Sequence, residues 1–365
     1  MALSKLDELA KIGQSIWLDN ISRSMIESGK LKEEINLGLR GMTSNPSIFD
    51  NSISSSADYD EAIKKLAGQG KSTFEIYDDL TIRDVQDAAD MFRPVYDKTG
   101  GLDGYVSLEI NPELAMKTQE TIEEGQRLYK KVNRPNVMFK VPSTDAGFEA
   151  ISELLGGGIN INVTLIFSLE QYVRTAHAYI EGMKRLLARG GDMSKVHSVA
   201  SVFVSRIDTA IDKMIDARSG EEKLKSFRGK AAVANSKLIF SKYHEIFSGN
   251  EFLALKDKGA NLQRVLWGST GTKDPSYSDI KYVTELIGNP TVNTLPDKTL
   301  AAFMDHGVIK ETITKDAGDA GNIIENLKGF GIDVNEICLK LLDDGVAAFQ
   351  KSFESLLNAI ETKKK

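Results

Sequence analysis

The chain has 365 residues, 41% hydrophobic and 27% charged, with a formal net charge of −6. That is an ordinary globular balance with ample length for a large core. Acids and bases are interspersed and the one basic tract is the terminal Lys363-Lys364-Lys365, a solvated helix end, so nucleic acid is not an expected partner. A single cysteine, Cys338 on a helical apolar face, excludes an internal disulfide framework and a cysteine-based metal site. No apolar run approaches the ~18 residues of a membrane span, and "MALSKLDELAKIG" lacks the apolar core of a signal peptide, so a cytoplasmic protein is expected.

Short apolar runs recur along the chain. Strands are predicted at "SIWLD", "LGLRGMT", "GYVSLEI", "NVMFKVP", "INVTLIF", "SVASVFV", "RVLWGS" and "TVNTL". Helical patterns separate them. "PELAMKTQETIEEGQRLYKKV" follows the third run, "DAGFEAISELLGGG" the fourth, and "SLEQYVRTAHAYIEGMKRLLARGG" the fifth. "PDKTLAAFMDHG" follows the eighth, with a proline at its start and Gly307 after its end. Strands alternating with helices of this length imply parallel pairing through crossover helices. The count suggests a single (β/α)8 TIM barrel; a doubly wound open sheet competes, but no GxGxxG follows the first strand. A typical barrel needs about 250 residues. The surplus falls in a helical block, 208–259, and a C-terminal helical region, 334–365. No linker or repeat forces a second domain, so residues 1–365 read as one. The outer helices could be solvated or shared, which leaves a homo-oligomer open.

Barrel enzymes place their chemistry at the C-terminal ends of strands. Several ends here carry groups that a plain core would avoid. Alternation puts Asp19 on the face of Trp17, Glu109 on that of Ser107, Lys140 on that of Met138, Asn162 with Thr164, and Ser269 on the face of Trp267. Each has a plainer reading. Asp19 could open a loop, Glu109 and Lys140 could form an inert ion pair, and Asn162 and Thr164 could be satisfied core polars. In combination they would face one enclosed space. An amine flanked by two carboxylates suits Schiff-base catalysis. The nucleophile must be the free amine, which burial favours, and imine formation and carbon–carbon cleavage each need an acid/base.

At "RGMTSNPSIF", "VSLEI", "VMFKVPST" and "INVTLIFS" the sequence resembles the transaldolase family. "GKAAVANSKLIF", "WGSTGTKDPSYSD" and "TVNTLPDKTLAAFMDHG" are similar to its longer bacterial branch. The resemblance covers nearly the whole chain, and segments in this order are highly specific where any one alone would be weak. It implies a class I barrel that uses neither metal nor cofactor. It implies transfer of a dihydroxyacetone unit from a ketose phosphate (sedoheptulose 7-phosphate or fructose 6-phosphate) to an aldose phosphate (glyceraldehyde 3-phosphate or erythrose 4-phosphate), as in the non-oxidative pentose phosphate pathway.

By the same resemblance, Lys140 is the Schiff-base lysine and Asp19 the acid/base of carbon–carbon cleavage. Glu109, through a water positioned with Thr164, serves imine formation and hydrolysis. Asn45, Asn162 and Ser201 hold substrate hydroxyls. Arg206 and Ser269 match phosphate-binding positions. Where many shorter members carry a second arginine this chain has Gly271, and Lys273 is the candidate to supply the charge as a point rather than a fork. The bland reading of Arg206 is a surface ion pair, and that of Lys273 a solvated loop lysine. Two alternatives remain. One is a fructose-6-phosphate aldolase, which carries a tyrosine where this chain has Phe203 and lacks the acid matching Glu109. The other is a non-catalytic sugar-phosphate-binding barrel.

Overall fold

A computed structural model describes residues 3–218, 220–314 and 317–365. Eight parallel strands close into a barrel in sequence order: β1 (Gln14–Leu18), β2 (Gly41–Thr43), β3 (Tyr105–Glu109), β4 (Val137–Pro142), β5 (Ile161–Ile166), β6 (Ser198–Phe203), β7 (Arg264–Gly268) and β8 (Thr291–Leu295). β8 pairs back on β1, so no edge is left and the open sheet is ruled out. Each predicted run supplies its strand. The second is shorter than "LGLRGMT" suggests. Gly38, at φ +104°, closes the preceding helix Lys30–Asn36, and pairing begins only at Gly41.

The helices after β3, β4, β5 and β8 lie where their apolar periodicity puts them, at Thr118–Val132, Asp145–Gly156, Leu169–Ala188 and Asp297–His306. Local chemistry sets their starts. Ser168 and Gln171 form a reciprocal capping box on the third. Pro296 caps the fourth from just outside the helix rather than within it. The block from 208 to 259 holds the helices Ser205–Asp216, Glu222–Lys225, Ala231–Phe247 and Asn250–Lys256.

Two apolar clusters divide the core. Trp17, Tyr105, Met138, Val199, Leu266 and Val292 fill the barrel interior. The much larger second cluster lies between the strands and the helical ring, and it includes Trp267 and Cys338. Beneath the interior cluster, a buried Arg264–Asp103 ion pair at 2.8 Å closes the N-terminal end. Another group of buried polar side chains, among them Glu109, Lys140, Thr164 and Ser201, lies above the cluster at the other end.

The C-terminal helix Val334–Lys363 packs against the helices after β2 and β6 and touches β5. Gly345 permits the close approach: a Cβ there would lie 3.0 Å from Leu165 and 3.8 Å from the Arg206 guanidinium. The same helix face buries Phe349 and Phe353. Phe353 makes an edge contact with Tyr77, 5.0 Å between ring centroids, whereas Phe349 turns toward the barrel mouth.

Candidate active site

A cavity of about 180 Å³ opens at the C-terminal ends of the strands. Lys140 rises into it from β4. Its Nζ donates to the Ser44 carbonyl at 2.9 Å and lies 2.9 Å from Glu109 Oε2. Glu109 and Lys140 are register partners on β3 and β4, and both are buried. The interior face they share with Ser107 and Met138 is the one that strand alternation predicts. Burial lifts the Glu109 carboxyl above its ordinary value, and the Lys140 charge opposes the rise.

Asp19 sits just past β1, at the cavity wall and partly open to solvent. Its surroundings raise its carboxyl above the ordinary range through desolvation. Lys140, a hydrogen bond from Thr43, Lys273 and Arg206 all pull the other way. The Thr43 hydroxyl donates to Asp19 Oδ1 at 2.9 Å and lies 2.8 Å from the Thr294 hydroxyl. Sequence reasoning passed over both threonines. The signal was available: each stands two residues after an inward position, Gly41 and Val292.

Thr164 lines the cavity, yet its buried Oγ1 meets no hydrogen-bond partner among the described residues. Glu109 Oε2, although close to Lys140, also accepts no hydrogen bond of good geometry. A bulge shapes this wall. Val163 pairs with Ala200 and Ile166 with Val202, so β5 carries one residue more than β6, and Leu165 adopts φ +58°.

Asn45 and Ser201 both reach the cavity. Asn45 Oδ1 accepts from the Ile48 amide and so caps the helix Pro46–Ser54, a bond that does not use its NH₂ group. Asn162 is fully buried. It donates to Ser107 at 3.0 Å and accepts from Ser201 at 2.6 Å, so it orients Ser201 rather than lining the cavity itself.

The far wall is cationic. Arg206, Lys273 and Ser269 line it. Neither cation has an ion-pair partner among the described residues, which removes the surface-pair reading of Arg206. Burial lowers Arg206 from its ordinary value, with Asp19 opposing, and its guanidinium lies 5.4 Å from the Phe203 ring centroid. Ser269 arrives by a different route from the expected one. Trp267 faces the outer helices and Leu266 the interior, so simple alternation would turn Ser269 away from the barrel. Ser269 instead takes φ +53°, and that left-handed turn brings it to the cavity, 3.1 Å from the Ser205 hydroxyl.

Phe349, from the C-terminal helix, completes the lining. It is 4% exposed, and Lys140 Nζ lies 5.8 Å from its ring centroid. No residue pattern near Phe349 distinguishes it from an ordinary core phenylalanine, so only the packing of the long helix reveals its place.

The family model for "Transaldolase/Fructose-6-phosphate aldolase" matches residues 16–360. The chain belongs to that family. Among its relatives, Transaldolase 2 of Nostoc sp. is 45% identical, over all of this chain and 99% of the relative. The transaldolase of Trichodesmium erythraeum is 44% identical over the same shares. That of Saccharopolyspora erythraea is 44% identical over 98% of this chain and 97% of its own. These alignments span the strands, the loop carrying Lys273 and the C-terminal helix together, so the family assignment takes in every wall of the cavity.

Proposed function

We propose that this protein is a transaldolase, moving a dihydroxyacetone unit between sugar phosphates through a Schiff base on Lys140. The observation that carries the reading is a buried lysine 2.9 Å from the Glu109 carboxylate, in a small cavity that Asp19 also lines and whose far wall is cationic. A binding module has no need of a buried amine beside Glu109 and Asp19.

The Lys140 amine attacks the ketone carbon of the donor, and the former carbonyl oxygen leaves as water after gaining protons. Glu109 moves those protons, through a water held by its carboxylate and by the Thr164 hydroxyl, which has no hydrogen-bond partner among the described residues. Asp19 takes the proton of the hydroxyl β to the iminium. The carbon–carbon bond breaks, an aldose phosphate leaves, and its electron pair is held as an enamine on Lys140. The acceptor aldehyde then adds, Asp19 returns its proton, and water releases the new ketose phosphate. Asn45 and Ser201 hold donor hydroxyls, Asn162 fixes Ser201, and Arg206, Ser269 and Lys273 take the phosphate.

The competing lyase must protonate the enamine before an acceptor arrives. Phe203 lines the cavity without a hydroxyl to order water there, which favours transfer. The test is borohydride reduction in the presence of fructose 6-phosphate. A reduced dihydroxyacetone adduct on Lys140, with fructose 6-phosphate turning over only once erythrose 4-phosphate is added, is expected. Rapid release of free dihydroxyacetone without acceptor would establish the lyase, and the absence of any adduct would defeat the Schiff-base reading.

A further inference from the structure

The loop that carries Ser269 and Lys273 runs on to the short helix Lys281–Thr284. Lys273 is exposed and forms no ion pair among the described residues, and it stands between two cavities: the candidate active site and a separate cleft of about 400 Å³ behind the loop. A single exposed lysine is a poor phosphate ligand unless its backbone is held, because ordering a flexible side chain costs entropy.

The holding is built into that second cleft. The helix Ser205–Asp216 starts beside Arg206 and turns Asp208 and Asp212, one helical turn apart and both buried, toward the loop. Tyr277 donates its hydroxyl to Asp212 at 2.8 Å, and Tyr282 donates to Asp208 at 2.9 Å. The other oxygen of each carboxylate is taken by a backbone amide, Gly229 at 2.9 Å for Asp212 and Ala232 at 2.8 Å for Asp208. Gly229, at φ +67°, lets the Tyr277 ring lie against bare backbone, where a Cβ would come within 2.8 Å. Arg228 adds a bond to Asp274, the residue after Lys273, at 2.8 Å. Within the loop, Thr272 closes onto the Ser278 carbonyl at 2.8 Å.

We propose that Tyr277 and Tyr282, through Asp212 and Asp208, are positioning residues that set the placement of Lys273 relative to Arg206 and thereby confer preference for phosphorylated substrates. The inference rests on the reading of Lys273 as a phosphate ligand. Both cations are then referenced to one helix: Arg206 belongs to it, and the loop of Lys273 is tied to it by two phenol–carboxylate bonds. This gives a lysine on a loop some of the fixed geometry that a second arginine would bring by itself.

The experiment compares Tyr277→Phe, Lys273→Met and the double variant in the full-length enzyme, with thermal melting to confirm folding. The readouts are KM for erythrose 4-phosphate, KM for the unphosphorylated acceptor glyceraldehyde, and inhibition by inorganic phosphate. A lost hydrogen bond of ordinary worth predicts a roughly five-fold rise in KM for the phosphorylated acceptor and in the phosphate inhibition constant. In Tyr277→Phe, KM for glyceraldehyde stays within about two-fold, and Tyr277→Phe adds nothing once Lys273 is methionine. Equal effects on both acceptors, or full additivity with Lys273→Met, would mean that the tyrosine is merely structural. If Lys273→Met weakens phosphate and Tyr277→Phe does not, this inference alone fails. If Lys273→Met is also silent, the reading of Lys273 fails and takes the inference with it.

Discussion

Lys140 Nζ lies 2.9 Å from Glu109 Oε2, and the two side chains reach each other because their backbones are register partners on β3 and β4. No loop intervenes, so their contact depends only on correct strand pairing. Lys140→Met should therefore leave the barrel folded and remove the borohydride adduct, while exposing the cost of an unpaired buried carboxylate. Losing one partner of a buried pair costs about 3–5 kcal/mol. The sign with pH follows from Glu109. With Lys140 gone its pKa rises further, and an acid with a raised folded pKa loses stability as pH rises. Urea unfolding should show the larger deficit at pH 8 and a smaller one at pH 5, with recovery in Lys140→Met/Glu109→Gln. A deficit independent of pH would contradict the pairing.

Glu109→Gln and Thr164→Val should slow imine formation by roughly 10²–10⁴-fold, the usual worth of general acid–base help, and slow carbon–carbon cleavage less. Single-turnover measurements with trapping separate the two steps. Equal slowing of both would show that Glu109 and Asp19 do not divide the work.

Thr43→Val removes the hydrogen bond that helps to hold the Asp19 carboxyl down. Asp19 must be ionised to accept the hydroxyl proton. The acid limb of kcat/KM should therefore move to higher pH, with activity lost more at pH 6 than at pH 8. An unmoved limb would mean that another group governs it. Asp19→Asn should still form the borohydride adduct yet lose turnover by about 10²–10⁴-fold.

His197, at the opposite end of the barrel, predicts acid sensitivity unrelated to catalysis. Burial and the nearby Arg264 charge push its imidazole down to about 4, with Ser194 and Asp103 opposing. Its folded pKa is thus below its unfolded value of 6.5. Between those values the unfolded chain binds more protons, so stability is present above the unfolded pKa and is lost as pH falls through the folded one. The contribution amounts to about 3 kcal/mol. Denaturation of wild type and His197→Gln at pH 7 and pH 4.5 checks it. The variant should lose less on acidification.

Strand number, the inward faces of β1, β3 and β4, and the convergence of Asp19, Glu109 and Lys140 were all readable in the chain, because period-two alternation and sequential parallel pairing are local rules that the barrel obeys. Ser269 shows where such rules stop. Its side chain reaches the cavity only through a left-handed residue that alternation cannot anticipate. Asn162 was rightly placed inside, but which atoms its amide would satisfy depended on Ser107 and Ser201, far away in sequence. Phe349 and the Tyr277–Asp212 and Tyr282–Asp208 ties belong wholly to the tertiary structure. They join segments separated by tens to hundreds of residues, and nothing in the local pattern of either segment records its partner. The sequence by itself determined which side chains each strand would deliver to the mouth of the barrel. The packing of the loops and of the last helix decided how that mouth is walled, because closure there depends on contacts between distant segments rather than on the period of any one of them.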